Sequence, residues 1–98
     1  MTRQVRFHPV AELELNEAVD FYDLQSSGLG GAFLADVEHA LAQVVEFPDA
    51  AVPAVADVRK RLLAKFPYAL LYSLRDDDIR ILAVAHLKRL PFYWHGRE

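Results

Sequence analysis

The 98-residue sequence contains no cysteine, only four glycines and no apolar run long enough to cross a membrane. The lack of cysteine excludes disulfides, thiolate nucleophiles and metal sites with cysteine ligands. No run approaches the roughly 18 apolar residues of a membrane span, and residues 1–8 lack the apolar core of a secretory signal. These absences predict a cytoplasmic protein without a membrane partner. The length and the 53% of hydrophobic residues predict one compact domain over residues 1–98.

Positive charge is scarce in the first half of the chain and abundant in the second. Residues 1–50 carry two basic and nine acidic side chains, for a charge of -7, whereas residues 51–98 carry nine basic and five acidic, for +4; the total is -3. Only three of the basic residues are lysines. The acidic half is a poor surface for nucleic acid, but the basic half can attract an anionic ligand or partner.

Hydrophobic periodicity predicts a strand and then two helices in the first half. Residues 4–7 alternate between polar and apolar until Pro9, which is typical of a short strand. Apolar residues recur at helical spacing over 11–22 and again over 33–44, with a glycine-rich break at 26–31. Because the connection is short, we expect an antiparallel helical hairpin whose apolar stripes need a sheet to cover them.

The second half predicts a surface crossover followed by three strands. Residues 48–57 contain two prolines and show no clear period, which indicates a crossover. Alternation over 58–66 predicts a strand with one basic face, although Lys60 interrupts its apolar side. The next two apolar runs, 68–74 and 79–86, predict a hairpin because only a short acidic turn separates them.

The predicted elements combine into an α+β fold. The helical hairpin is expected to lie on one face of a small, mostly antiparallel sheet that contains the N-terminal strand and three consecutive C-terminal strands. The other sheet face would then be available to carry charge. The basic and aromatic residues 87–97 contain a proline, so they predict a short turn or tail on the end of the sheet.

Basic side chains on the predicted strands are candidates for binding an anion. With a strict period of two, Arg59, Arg61 and Lys65 share one face of their strand, and His86 shares a face with Arg80 on the last strand. Three cations on one face repel each other unless solvent or an anionic partner compensates. If the two faces coincide, a cationic groove results. Alternatively, His86 only bonds a neighbouring backbone group and Arg80 pairs with an acidic side chain.

Four short segments stand out for their order and spacing. They are Phe7-His8-Pro9 before the first helix, Gly28-Leu29-Gly30 with Phe33-Leu34 between the helices, Phe66 to Tyr72, and Ala83 to Trp94. Together, over nearly the whole chain, they resemble the RelE/ParE superfamily of type II toxin–antitoxin toxins, also called plasmid stabilisation proteins. The resemblance implies a RelE/ParE-like fold, a toxin that arrests growth, and a protein antitoxin whose extended segment folds on the toxin. Members are either ribosome-dependent mRNA endonucleases or poisons of DNA gyrase.

The sequence-based prediction is a RelE-type mRNA endoribonuclease that acts on the ribosome. Metal-free RNA cleavage needs a base, an acid and cations that hold the charge on phosphorus. In the RNA-cleaving members the working residues lie on the late strands and just after the last one. The resemblance therefore implies His86, Arg89 and Tyr93 as catalytic residues. The residues expected to bind RNA phosphate or a partner are Arg59, Arg61, Lys65, Arg80 and Lys88.

Two alternatives remain open at this point. One is a non-enzymatic poison of DNA gyrase, which the overall acidity and the three lysines favour. The other is a decayed toxin that only binds its antitoxin. No metal or small-molecule cofactor is expected, because the acidic run 76–78 is typical of a solvated turn and His8, His39 and His95 lack partners at ligand spacing.

Overall fold

The computed structural model describes residues 4–97, which form two helices packed on one five-stranded sheet. The strands are β1 (Gln4–Phe7), β2 (Val52–Val55), β3 (Val58–Leu62), β4 (Tyr68–Arg75) and β5 (Asp78–His86), and the helices are α1 (Pro9–Gln25) and α2 (Leu29–Glu46). The strand order is β1-β5-β4-β3-β2, with β1 parallel to β5 and every other pair antiparallel. The predicted α+β fold is confirmed. Within residues 4–97, no helix is both long and apolar enough to span a membrane.

Local residues fix the start of each helix. Pro9 occupies the first turn of α1, and His8 caps the helix because its Nδ1 accepts a hydrogen bond from the Val10 N–H at 3.1 Å. The α2 helix follows Gly28, whose φ of 88° lies in the left-handed region that glycine tolerates. The Asp23 carboxylate of α1 then accepts a hydrogen bond from the Gly30 N–H at 2.8 Å, which ties the two helices together.

The close approach of the helices predicts opposite effects for two adjacent glycines. A Cβ on Gly30 would collide with the Val19 carbonyl oxygen and lie 2.8 Å from the Asp23 carboxylate, whereas a Cβ on Gly31 would meet nothing within 4 Å. We expect Gly30→Ala to lower the free energy of unfolding by about 1–3 kcal/mol. Gly31→Ala should raise it by about 0.5–1 kcal/mol, because alanine is the better helix former. Urea denaturation of both variants checks this, and equal stabilities would contradict the packing described.

Strand β2 lies within the stretch 48–57, which was predicted as a surface crossover, so that prediction is wrong. Val52 pairs with Lys60 and Val55 with Val58, so β2 forms a hairpin with β3 at the edge of the sheet. All four β2 residues are exposed. An exposed edge strand has no buried face, so it produces no hydrophobic alternation that sequence reasoning could detect.

The basic strand is also shorter than predicted, because β3 ends at Leu62 rather than near residue 66. Asp36 of α2 is 5% exposed, and its carboxylate accepts hydrogen bonds from the backbone N–H groups of Lys65 and Phe66 at 2.9 and 3.0 Å. These two bonds turn the chain toward α2. The side chain of Lys65 is therefore exposed on a loop and does not continue the strand face.

The last strand contains a β-bulge that breaks its period of two. Tyr72 pairs with Ile81, but Leu71 pairs with Ala83, so Leu82 is an extra residue on β5. Beyond the bulge every side chain changes face relative to a regular strand. The prediction that His86 and Arg80 share a face is therefore wrong.

Two apolar clusters cover the two faces of the sheet. The larger lies under the helices and includes an aromatic cluster of Tyr22, Phe33, Phe66 and Tyr68, whose ring centroids are 4.8 to 6.2 Å apart. The opposite face, called the open face below, holds a smaller cluster of Val58, Leu71, Leu82, Ala83, Ala85 and Trp94. Trp94 comes from the C-terminal segment (residues 87–97), which covers part of the open face.

Candidate functional site

Arg59 and Arg61 lie on the side of the sheet that faces the helices. Arg59 is opposite Tyr72, whose ring belongs to the larger core cluster, and it donates hydrogen bonds to the Asp49 and Ala51 carbonyl oxygens at 3.3 and 3.1 Å. Arg61 donates to the Gln43 side chain at 2.6 Å. Both guanidinium groups therefore hold β3 against α2 and the segment that follows it.

The other predicted cations lie in three separate places. Lys65 is on the loop after β3, and Lys88 is exposed in the C-terminal segment. Arg80 is opposite Ser73 on the open face, six residues before His86 and so about 20 Å away along the strand. The β5 bulge places Arg80 on the opposite face from His86, and β3 ends before Lys65. His86 does share the helix-facing side with the β3 arginines, but the core under the helices fills that side, so the cations do not line one groove.

His86 ends β5 beside the helices. It is opposite Tyr68, and the two rings make an edge contact at 5.1 Å between centroids. Its Nδ1 accepts a hydrogen bond from the Lys88 N–H at 3.0 Å. This is the backbone-bonded arrangement that sequence reasoning kept as an alternative to a catalytic role.

A carboxylate that the sequence analysis did not single out, Glu14 of α1, lies at the centre of a polar network. Its Oε2 accepts a hydrogen bond from the Tyr93 hydroxyl at 2.7 Å, and its Oε1 accepts one from Arg97 at 2.9 Å. The Glu14 and Arg97 side chains are only 16% and 14% exposed. Arg89 lies 4.0 Å from the same carboxylate and stacks over the Tyr93 ring at 4.1 Å. We call these four residues the Glu14 network.

The Glu14 network bonds backbone groups along a stretch of β5 that has no neighbouring strand on one side. Strand β1 pairs with β5 only over residues 78–81, so the following β5 backbone has no strand neighbour on that side. Glu14 Oε1 accepts a hydrogen bond from the Val84 N–H at 3.1 Å, and Arg97 donates one to the Leu82 carbonyl at 3.0 Å. Side chains thus replace the missing strand, and they attach the C-terminal segment to α1 and β5.

The network also changes the acidity of Tyr93. Burial, and next the hydrogen bond to Glu14, raise the pKa of the Tyr93 hydroxyl far above its ordinary value of 10.0, although Arg97 and Arg89 lower it in part. A phenol with a raised pKa, already bonded to a carboxylate, is a poor proton donor for a departing oxygen near neutral pH. Tyr93 is therefore a hydrogen-bond donor within the Glu14 network, and its catalytic role stays a prediction.

The raised pKa predicts how stability changes in alkaline solution. Above pH 10 the unfolded chain releases the Tyr93 proton while the folded chain keeps it, so stability present below that pH is lost as pH rises. Tyr93→Phe should therefore show a smaller loss of stability between about pH 8 and about pH 11. A residual loss is expected because burial also raises the pKa of Tyr68 and Tyr72. Urea denaturation across this range checks the prediction, and identical slopes would contradict it.

A groove crosses the open face between β2 and the C-terminal segment. Its floor is formed by the paired residues Ala69 and Ala85 together with Leu71, and its volume is about 340 Å³. Its walls are Val52 on one side and, on the other, the apolar side chains Leu90, Phe92 and Trp94. The low alanine floor lies between these taller side chains, so the open face is concave here. Lys60 of β3 also lines this groove. In the sequence, Lys60 is the cation that interrupts the apolar side of the strand.

Sequence reasoning missed Glu14 and Lys60 for different reasons. Glu14 is one of several acidic residues on α1, and its partners Tyr93 and Arg97 are 79 and 83 residues away, so no local pattern connects them. Lys60 gave a signal, because a cation on the apolar side of a strand is unusual. Its position opposite Leu71 places it on the open face.

Comparisons with known proteins agree on one family. A family model described as the ParE toxin of type II toxin-antitoxin system, parDE, matches residues 5–91. Proteins named Toxin ParE2 from two strains of Mycobacterium tuberculosis, CDC 1551 / Oshkosh and ATCC 25618 / H37Rv, are each 31% identical over 87 residues, which cover 88% of this chain and 83% of theirs. A solved structure titled "Chromosomal ParDE TA system from P. aeruginosa" has a TM-score of 0.65 at 18% identity, over 87% of this chain and 96% of that chain. The structural match shows that the fold is shared, whereas the family model and the two relatives show the family. The chain therefore belongs to the ParE toxin family of type II toxin–antitoxin systems.

Proposed function

We propose that this chain arrests growth as a ParE-type toxin that binds and poisons DNA gyrase without cleaving RNA, and that an antitoxin holds it inactive. The observation that carries the proposal is the match to the ParE family over residues 5–91. Gyrase poisoning is one of the two alternatives in the sequence-based prediction. The family match favours it over the RelE-type ribonuclease that stood first.

The contacts of the catalytic candidates also favour a binding toxin. The Tyr93 hydroxyl donates a hydrogen bond to Glu14, and Arg89 stacks on the Tyr93 ring. His86 accepts a backbone hydrogen bond at Nδ1. The cations Arg59 and Arg61 bond groups of the second helix and the segment after it. All five of these side chains thus already contact partners within the chain.

An antitoxin is the natural partner of such a toxin, because the family name itself describes one half of a toxin–antitoxin pair. We propose that the antitoxin folds an extended segment onto this chain. Segments of this kind bury apolar side chains on the surface of a preformed domain, and this chain exposes several apolar side chains. The larger ones on its C-terminal segment and β2 are Leu87, Leu90, Phe92, Val52 and Val55.

Pulse labelling after induction distinguishes the two mechanisms. The chain is induced without its antitoxin, and incorporation of labelled thymidine and labelled methionine is followed over the first minutes. We expect DNA synthesis to fall first, with induction of the SOS response. Co-expression of the antitoxin is the control, and it should restore both growth and DNA synthesis.

The double variant His86→Ala/Tyr93→Phe extends this experiment. A binding toxin should keep its effect on DNA synthesis in this variant, provided urea denaturation shows that the variant is folded at the assay temperature. Early loss of protein synthesis in the wild type, abolished by the double variant, would contradict the proposal and favour RNA cleavage. Absence of any effect on growth would instead indicate a decayed toxin.

A further inference from the structure

A separate pocket, called the α2–β3 pocket below, lies between α2, the start of β2 and the end of β3. Its volume is about 360 Å³. The polar and charged side chains that line it are His39, Gln43, Lys60 and Arg61, and most of the remaining wall is alanine. None of its described lining residues is an aspartate or a glutamate. A cleft with charge of one sign attracts ions of the opposite sign, so this pocket is a candidate anion site.

The Arg61 guanidinium at this pocket has only a neutral partner. It donates a hydrogen bond to the Gln43 side-chain oxygen at 2.6 Å, and it forms no ion pair with any carboxylate of residues 4–97. The neighbouring acidic groups are engaged elsewhere, because Asp49 pairs with Arg59 and Asp36 bonds the backbone of the loop after β3. Arg61 is only partly exposed, so water compensates its charge incompletely. An anion in the pocket would supply the missing counter-charge.

Strand β3 brings two more donors to the pocket. Lys60 lines it and pairs with Val52, the first residue of β2, so β3 has no strand neighbour on that side beyond this pair. The Leu63 N–H bonds the Tyr68 carbonyl across the β3–β4 side at 2.9 Å. Successive residues of a strand direct their N–H groups to opposite edges. The Leu62 N–H therefore points away from β4, to the edge where the pocket lies.

We propose that the α2–β3 pocket binds a phosphate monoester, with the phosphate oxygens on the Arg61 guanidinium, the Lys60 ammonium and the Leu62 N–H. A tetrahedral phosphate presents oxygens in several directions, which suits donors from two side chains and the main chain. The alanine walls leave room for an apolar body attached to the phosphate. Because α2 and the start of β2 bound the pocket, it suits the end of a ligand better than a phosphodiester backbone that passes through.

This inference goes beyond the proposed function and does not depend on it. The pocket lies away from the Glu14 network, and it contains neither His86, Arg89 nor Tyr93. A toxin that poisons gyrase and one that cleaves RNA would both have it. Loss of phosphate binding and loss of growth arrest can therefore be measured separately.

The variant Gln43→Glu tests the proposal, because it replaces the neutral acceptor of Arg61 with a carboxylate of nearly the same shape. Arg61 then has a counter-charge within the chain, so the fold should be kept while the anion site is neutralised. The matched control, Gln25→Glu, makes the same substitution at an exposed position outside the pocket. A second variant, Lys60→Gln, removes one exposed cation of the site. Urea denaturation verifies that all three variants are folded.

Phenyl phosphate is the probe, and its binding is followed by NMR through the His39 ring protons and the Leu62 amide. His39 reports on the site because its Nε2 lies 3.3 Å from the Gln43 side-chain nitrogen. We expect saturable binding to the wild type, at least about 10-fold weaker binding to Gln43→Glu, and no change in Gln25→Glu. Lys60→Gln should bind about 3–10-fold more weakly. Wild-type affinity in Gln43→Glu, or an equal loss in Gln25→Glu, would overturn the inference.

Further probes identify the group that is recognised and its source. Benzoate should bind more weakly than phenyl phosphate, and short single-stranded DNA should shift the two signals only when it carries a 5′ phosphate. Preference for the 5′-phosphorylated strand would assign the phosphate to a nucleic acid end, whereas preference for phenyl phosphate would assign it to a small molecule; both results support a monoester site. Benzoate that binds as tightly as phenyl phosphate, or DNA that binds equally well without its 5′ phosphate, would overturn the inference.

Discussion

Replacing Glu14 with alanine is expected to cost about 3–5 kcal/mol of the free energy of unfolding. The substitution removes the acceptor of the Tyr93 hydroxyl and leaves the guanidinium of Arg97, only 14% exposed, without its counter-charge. It also removes the acceptor of the Val84 N–H, which has no strand neighbour. An unpaired buried charge is more costly than the pair is favourable, so the loss should be large. Urea denaturation of the variant measures it.

Two comparisons make this prediction specific. Glu17→Ala, at an exposed position one turn further along α1, should change stability by less than about 0.5 kcal/mol. The double variant Glu14→Ala/Arg97→Ala should be more stable than the sum of the two single losses implies, because it leaves no charge unpaired. A cost for Glu14→Ala as small as that of Glu17→Ala would show that the Glu14 network does not hold the C-terminal segment.

Phe33→Ala is expected to cost a similar amount, about 3–5 kcal/mol. Phe33 is fully buried, and its ring centroid lies 5.3 Å from Tyr22, 5.3 Å from Phe66 and 4.8 Å from Tyr68. Its removal opens a cavity where α1, α2 and the β3–β4 loop meet, and it also removes three edge or tilted ring contacts.

The matched control is Phe47→Ala, which removes the same side chain at a position that is 57% exposed. This control should lose no more than about 1 kcal/mol, because little apolar surface returns to water. Thermal or urea unfolding of both variants provides the comparison. Similar losses at Phe33 and Phe47 would contradict the position of the core described for this protein.

The sequence predicted those parts of the fold in which one face of an element is buried. Both helices bury a regular stripe, and the β4–β5 hairpin buries two apolar runs on either side of an acidic turn, so all of these elements were visible without a structure. Strand β2 exposes all four residues, and the bulge at Leu82 inserts a residue without any change in composition. Backbone pairing determines both features, and backbone pairing leaves no trace in hydrophobic alternation.

The candidate site was less predictable because it depends on contacts between distant parts of the chain. The sequence predicts a cationic face that contains Arg59 and Arg61, but only the folded structure shows their partners on and after α2. The end of β3 depends on Asp36, which is about 30 residues away in sequence. The resemblance implies a catalytic Tyr93 from residue type and position alone. Its bond to Glu14 spans 79 residues, so no local motif reveals it.

The resemblance to known toxins carried more functional information than any residue pattern. It identified the superfamily, which the ParE family match confirms. The conditional prediction of a cationic groove assumed a strict period of two, which holds for Arg59 and Arg61 but fails for Arg80 and His86. The β5 bulge places Arg80 on the opposite face from His86. The buried Asp36 carboxylate bonds the loop that contains Lys65, so Lys65 does not lie on the strand face.

The most direct test of the account is a supercoiling assay with purified DNA gyrase and the purified chain. The account predicts that the wild-type chain inhibits supercoiling, that cleaved DNA accumulates, and that the antitoxin reverses both effects. It also predicts that His86→Ala/Tyr93→Phe, once shown to be folded, inhibits as the wild type does. Unchanged supercoiling at all concentrations of folded chain, together with cleavage of ribosome-bound mRNA, would contradict the account.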